Sequence, residues 1–178
     1  MKKGIIAVMA LSIAFYFSSC TKKGGMSEET KTAMTTFETA WSATGDQLNG
    51  WGTTMNTTHA DMNKMMDASM SGDMSKMKPA EKAHMDSMMM MCTPIKAGME
   101  GMKSEYNAAM EQWKADTQAY ADWKKKGQEE KMTDEQINAG LAEWNTKLAA
   151  WNTKMSDWNQ QLTSMQAACK TACDSMMM

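Results

Sequence analysis

The sequence predicts an all-α protein, an elongated antiparallel three-helix bundle of the coiled-coil kind. The chain is rich in Ala, Met, Lys, Glu and Gln and poor in Pro and β-branched apolar residues, a composition that favours helices over strands. Apolar residues recur at alternating spacings of three and four, as on a helix face that packs against other helices. Two polar breaks divide this pattern into three series.

The first helix is predicted over about residues 27–71. Ser27, followed by two glutamates, has the side chain of an N-cap with acidic residues in the first turn. Three glycines inside the segment weaken the expectation of one unbroken helix: Gly45, Gly50 and Gly52. The predicted core series is Met34, Phe37, Trp41, Thr44, Leu48, Trp51, Met55, Thr58, Met62 and Met65.

The second helix is predicted over about residues 79–126. Pro79 suits the first helical position, and a lysine run followed by Gly127 suits the end. Pro94 should kink the helix or split it, because proline removes a backbone hydrogen bond and clashes with the preceding turn. The predicted core series is Met85, Met88, Cys92, Ile95, Met99, Met102, Tyr106, Ala109, Trp113, Asp116, Tyr120 and Trp123, in which Asp116 is the one charged residue.

The third helix is predicted over about residues 134–175. Thr133 and Gln136 have the spacing of a capping box. The segment contains a short repeat, "EWNTKLA", "AWNTKMS" and "DWNQQLT", in which each heptad places Trp at one core position and Leu or Met at the other. The simplest interpretation of these tryptophans is that they form the core.

The N-terminal segment has the features of an export signal. A basic start precedes a mostly apolar run, residues 5–17, which is too short to span a bilayer comfortably. The sequence Phe17-Ser18-Ser19-Cys20 then resembles the lipobox of bacterial lipoproteins. The resemblance implies that residues 1–19 are a signal peptide and that Cys20 is lipidated. Residues 20–26 would then be a tether that anchors the bundle, residues 27–178, to the inner or outer membrane, facing the periplasm or the exterior.

The predicted topology gathers sulfur-bearing residues at the end of the bundle farthest from this anchor. Short connections at 72–78 and 127–132 make sequential helices antiparallel. With turns centred near residues 75 and 130 and an equal rise on both legs, four pairs become level: Met62 with Met88, Met66 with His84, Cys92 with Cys169, and Met88 with Cys173. Fifteen of the 25 methionines fall at this end.

Thioether, thiol and imidazole groups together predict a site for a soft monovalent ion, Cu(I) or Ag(I). The methionine runs are similar in composition to those of exported copper-handling proteins, although no motif is shared. The candidate ligands are Met62, Met65, Met66, Met70, His84, Met88, Met89, Met91, Cys92, Cys169 and Cys173. A competing interpretation is that the methionines in core register, Met62, Met65, Met85, Met88 and Met165, only fill the core.

Other interpretations stay open. Cys92 and Cys169 could form a disulfide between the second and third helices, or all three distal cysteines could be metal ligands. The protein could instead be a structural or adaptor lipoprotein whose heptads pair with a partner chain or a second copy, or an oxidant scavenger that uses methionine. No enzyme motif is present, and the absence of Arg argues against nucleic-acid recognition.

Overall fold

The computed structural model describes residues 26–69 and 77–174, which form three long helices. These are α1 (Glu28–Ser69), α2 (Pro79–Glu129) and α3 (Asp134–Asp174). Each helix packs against both others, and the described part of the chain contains no strand. The predicted all-α three-helix bundle is therefore confirmed. The predicted signal peptide, Cys20, Met70 and Met176 to Met178 lie outside the described residues.

Local side-chain hydrogen bonds fix the N-terminus of each helix. The Ser27 hydroxyl accepts from the Thr30 N–H at 3.2 Å at the start of α1. At the start of α2 the Lys78 N–H donates to Glu81 Oε2 at 2.7 Å. Thr133 and Gln136 exchange two bonds before α3, at 2.9 and 3.3 Å. These bonds satisfy backbone donors that have no partner within the helix, so the sequence signals for helix starts are confirmed.

The first and third helices run parallel to each other and start at the same level. The Ser27 N–H donates to Asp134 Oδ1 at 3.1 Å, and hydrogen bonds of constant offset, 108 residues, follow along the bundle at Thr44–Asn152 and Thr58–Gln166. The second helix returns antiparallel between them. Its register against α3 agrees with the prediction within one turn, since Trp158, expected level with residue 102, donates to Glu105.

The register between α1 and α2 differs from the predicted one by about two helical turns. A turn centred near residue 75 places Trp41 level with residue 109 and His59 level with residue 91. In the structure the Trp41 indole N–H donates to Thr117 Oγ1 at 3.1 Å, and His59 Nε2 lies 3.4 Å from Glu100 Oε1. In this register Trp41 packs on Trp113, with ring centroids 4.3 Å apart.

As a consequence, two of the predicted level pairs, Met62 with Met88 and Met66 with His84, do not form. Lys96 of α2 forms an ion pair with Asp67 at 3.0 Å, which places Cys92, rather than His84, about level with Met66. The first three turns of α2 extend past the described ends of α1 and α3.

Helix α1 is unbroken through its three glycines, and α2 is unbroken through Pro94. The bond that Pro94 cannot donate would go to the carbonyl of Met90, on an exposed stretch where water can replace it. The Thr93 hydroxyl donates to the neighbouring Met89 carbonyl at 2.6 Å. Of the two alternatives expected at Pro94, splitting of the helix was therefore wrong, and a kink stays a prediction.

The second helix also continues past its predicted end at residue 126. Gly127 lies inside the helix, which ends at Glu129, and the left-handed conformation falls on Lys131, with φ of 52°. The Met132 N–H then donates to the Gly127 carbonyl at 3.0 Å and closes the turn toward α3. The prediction that the helix ends before Gly127 was therefore wrong, because this glycine is tolerated inside the helix and the turn falls on Lys131.

Aromatic side chains form much of the core in the middle of the bundle and toward the end where α1 and α3 begin. Six of the seven tryptophans are buried, and Trp51 stacks on Trp158 with centroids 4.7 Å apart. Two indole N–H groups of α3 donate to carboxylates of α2, Trp151 to Asp116 and Trp158 to Glu105, both at 3.1 Å. None of the helices in the described ranges has an apolar stretch sufficient to cross a membrane.

Candidate functional site

Each of the three helices contributes one pair of sulfur-bearing residues, spaced four apart, to the end of the bundle where α1 and α3 finish and α2 begins. We call this the upper end. A spacing of four places both side chains on one face of a helix. The pairs are Met62 and Met66 on α1, Met88 and Cys92 on α2, and Cys169 and Cys173 on α3. Five of these six residues are buried, with at most 1% of each exposed, and Cys173 is partly exposed.

Cys169 is the most enclosed of the three thiols. Its Sγ donates to the Met62 carbonyl at 4.0 Å, which ties α3 to α1. It also lies within hydrogen-bonding reach of Cys173 and near Cys92. Burial, together with the neighbouring Cys173 thiol, raises the pKa of Cys169 to about 11, so at neutral pH this thiol is protonated.

Cys92 approaches the α3 cysteines from the facing side of α2. Burial raises the pKa of Cys92, and the charge of a Cys173 thiolate raises it further, while the Lys96 ammonium opposes this with a smaller effect. The three residues Cys92, Cys169 and Cys173 are free thiols, and we refer to them as the thiol cluster. The predicted proximity of Cys92 and Cys169 is thus found, and the disulfide between them is not formed in this structure.

The structure reverses the predicted roles of two adjacent methionines. Met65 was placed in the core series, but 43% of it is exposed, whereas Met66 is fully buried. The constant offset of about 107 residues between α1 and α3 places Met66 level with Cys173 and Met62 level with Cys169. A strict repeat of seven drifts around a helix of 3.6 residues per turn, and this drift brings Met66 inward.

The other predicted ligands lie outside the buried cluster. Met89 and Met91 are exposed, by 38% and 39%, and so is Met90 between them, by 78%. His84 is exposed and lies about two turns before Cys92, roughly 12 Å along the helix axis. It is therefore too far away to share an ion with the thiol cluster. Met70 and the lipidation candidate Cys20 are outside the described residues.

One buried residue near this end lies outside the core series predicted for α1. His59 is buried against α2, and its Nε2 lies 3.4 Å from Glu100 Oε1. The neighbouring Thr58 is also buried, so α1 faces both other helices here. The core series predicted for α1, with one residue every three or four positions, describes only one of the two faces by which α1 contacts the other helices.

Comparison with known proteins adds no relative. No protein-family model, curated protein or solved structure matches the chain. Function must therefore be argued from the site itself. Within residues 26–69 and 77–174, no three His, Cys, Asp or Glu side chains are grouped so as to hold a metal ion. A soft-ion site in this part of the chain would draw on thioether sulfur as well as thiols.

Proposed function

We propose that this is a lipid-anchored protein of the cell envelope that binds a soft monovalent metal ion, Cu(I) or Ag(I), at the upper end of its bundle. The observation that carries the proposal is the group of three sulfur pairs, one from each helix. Their three thiols form the thiol cluster, and the buried methionines of the pairs lie beside it. Thiolate and thioether are the ligands that Cu(I) prefers in proteins. We expect two of the thiols, Cys169 and Cys173 on one face of α3, to bind the ion together with the thioethers of Met62 and Met66, while Cys92 lies beside them.

The burial of the cluster suits the retention of an ion rather than rapid exchange. Binding requires each thiol to lose a proton, so the affinity should rise with pH, and the raised pKa of Cys169 strengthens this dependence. Thioether sulfur has no proton to lose, so a site with a larger share of methionine would show a weaker pH dependence. The number of protons released on binding therefore reports how many thiols take part.

An anaerobic titration with Cu(I) against a competing chelator tests the proposal. The full chain carrying Cys20→Ser avoids a fourth thiol and serves as the reference. Replacing the three clustered cysteines by Ala should weaken binding by tenfold or more, about 1.4 kcal/mol. Replacing Met62 and Met66 by Leu conserves volume, which keeps the core packed while removing two thioethers. This variant should bind more weakly than the reference and show a steeper pH dependence.

The matched control replaces the exposed Met89, Met90 and Met91 by Leu. This variant leaves the buried cluster intact, and its Cu(I) affinity should equal that of the reference. Loss of binding in this control, with retention in the triple cysteine variant, would place the site on the exposed methionines instead. The absence of competition by the reference protein would contradict metal binding altogether.

The proposed anchor rests on the lipobox-like sequence around Cys20 and needs a separate test. Cells that express the full chain are grown with a radiolabelled fatty acid. Their membrane fraction should then contain the labelled protein. The Cys20→Ser variant should lose both the label and the membrane association. An unlabelled, freely soluble wild-type protein would contradict lipidation and leave the metal proposal unaffected.

A second function is favoured by the exposed methionines, Met65, Met89, Met90 and Met91. Exposed thioethers react with two-electron oxidants to give sulfoxides, which dedicated reductases reverse. A scavenger would therefore show sulfoxide first at these residues after mild hypochlorite exposure, and later at the buried Met62 and Met99. Mass spectrometry of peptides measures this order, and equal oxidation of exposed and buried methionines would count against the scavenger function.

A further inference from the structure

The three thiols of the cluster differ in their access to solvent. Cys92 and Cys169 are 1% and 0% exposed, whereas Cys173, near the end of α3, is partly exposed. A reagent from solution can therefore reach Cys173 without any opening of the bundle, and reaches the other two only if the helices separate. Thiol–disulfide exchange depends on such access to the attacking sulfur.

The geometry of the helices also determines which second thiol can pair with Cys173. Cys169 is one turn earlier on the same helix, where Cβ atoms lie about 5–6 Å apart. A disulfide needs Cβ atoms about 3.5–4.5 Å apart, so this pair cannot close without unwinding the helix. Cys92 is on the facing helix, and the register of the Lys147–Asp116 and Trp158–Glu105 contacts places it level with residue 171, about half a turn from Cys173. This pair joins two helices, so its closure does not require a helix to unwind.

We propose that Cys173 is a site of thiol–disulfide exchange and that Cys92 is its resolving partner, giving a disulfide between α2 and α3. The Cys173 thiolate attacks one sulfur of an external disulfide, RSSR, and RS⁻ leaves. Cys92 loses its proton and attacks the Cys173 sulfur of the mixed disulfide, and a second RS⁻ leaves. Cys92 and Cys173 together lose two electrons, and RSSR is reduced to two RSH, which take up the two protons released.

This reaction is independent of the proposed metal binding, because it requires only an external disulfide as oxidant. All of its tests are performed without metal. A negative result here leaves the Cu(I) titration unaffected, and a failure of Cu(I) binding leaves the exchange reaction in place.

The first experiment needs no substitution within the cluster. The full chain carrying Cys20→Ser is alkylated with N-ethylmaleimide under native conditions, and peptides are mapped by mass spectrometry over time. Cys173 should be labelled well before Cys92 and Cys169, and the three rates should converge in guanidinium. Equal native rates, or earlier labelling of either buried thiol, would overturn the proposal.

The second experiment uses oxidised glutathione as the disulfide. In the Cys20→Ser background the product should be the Cys92–Cys173 disulfide, and Cys169→Ala should leave that product unchanged. Cys92→Ala should accumulate glutathione on Cys173, while Cys173→Ala should lose the reaction. Far-UV circular dichroism confirms that each variant is helical. A Cys92–Cys169 disulfide, or one formed at an undiminished rate without Cys173, would refute the assigned order.

Discussion

Asp116 illustrates how a single buried residue links two helices. It is the one charged position of the second core series, and in the structure it is only 8% exposed. Its carboxylate accepts from the Trp151 indole N–H at 3.1 Å and from Lys147 at 2.9 Å. Burial of a carboxylate is costly unless its oxygen atoms are hydrogen-bonded, and these partners provide those bonds. The charge in the core is therefore a feature of the α2–α3 interface.

Substitution of Asp116 tests this role. Asp116→Ala leaves the Trp151 N–H without an acceptor and should lower the free energy of unfolding by about 1–3 kcal/mol. Asp116→Asn keeps an acceptor oxygen and should cost less, because the Lys147 ammonium is half exposed and contributes little. Urea denaturation followed by circular dichroism measures both values. Equal losses in the two variants would show that the charge, rather than the acceptor, is what matters.

The raised pKa of the Cys169 thiol predicts how the stability of the metal-free protein depends on pH. Its pKa is raised from 9.0 to about 11 in the folded state, so the unfolded chain loses this proton first as the pH rises. The folded state then binds more protons, and stability must fall with increasing pH between about 9 and 11. Chemical denaturation at pH 8 and pH 10 measures the decrease. Cys169→Ala should reduce it, and an unchanged decrease would assign the effect to other groups.

At the scale of the helices, the heptad repeat of α3 builds the same contact twice against α2. Lys154 forms an ion pair with Glu105, to which the Trp158 indole N–H donates, and Lys147 and Trp151 both donate to Asp116. In each unit the lysine precedes the tryptophan by one turn. The first repeat differs, since Gly140 stands one turn before Trp144, and a Cβ at Gly140 would lie 2.4 Å from the Trp123 ring. There the repeat makes room for an aromatic side chain of α2.

Helix α1 contains two glycines, Gly50 and Gly52, whose substitution by Ala distinguishes the effect of packing from that of helix propensity. A Cβ at Gly52 would lie 2.1 Å from the Tyr106 hydroxyl, which donates to the Leu48 carbonyl at 3.2 Å. At Gly50 a Cβ would meet nothing within 4 Å. Gly52→Ala should therefore destabilise the protein by about 1–3 kcal/mol through overpacking. Gly50→Ala should stabilise it by about 0.5–1 kcal/mol.

Thermal or urea unfolding of the two variants, followed by circular dichroism, measures this difference. The intrinsic gain in helix propensity is the same at both positions, so any difference between them reports the contact with Tyr106. Stabilisation of similar size at both positions would show that Tyr106 moves aside without cost.

At the scale of the whole molecule, the chain is a rod. Helix α2 has 51 residues and is on the order of 75 Å long. The heptad faces of all three helices are buried against one another within one chain, which includes six of the seven tryptophans. The adaptor interpretation, in which these faces pair with another chain, would require them to be available.

We therefore expect the full chain carrying Cys20→Ser to sediment as an elongated monomer, with or without Cu(I). Analytical ultracentrifugation at several protein concentrations measures this. A stable oligomer that metal does not alter would favour the structural or adaptor function over metal binding. An oligomer that forms only with Cu(I) would point to a site shared between chains.

The three helices, the N-terminal caps at Ser27 and Thr133 and the end of the bundle at which sulfur collects could all be predicted from the sequence. These follow from hydrophobic periodicity, local capping chemistry and the alternation of direction along a chain with short connections. An antiparallel arrangement with short connections brings residues 62–66 and 88–92 to the same end of the bundle as Cys169, while the register decides which of them become level. Two local expectations failed at helix breakers: Pro94 does not split α2, because its missing bond lies on an exposed stretch, and Gly127 lies inside α2 rather than at its end.

Which sulfur-bearing residues become level with one another could be read only from the packed helices. The register of α1 against α2, seen in the Trp41–Trp113 stack and the Lys96–Asp67 ion pair, differs from the predicted one, so that Cys92 rather than His84 is about level with Met66. The burial of Met66 in place of Met65 follows instead from the drift of a strict seven-residue repeat around the helix. Side-chain packing between helices selects the register, and a periodic pattern along one helix contains no information about the helix that it packs against.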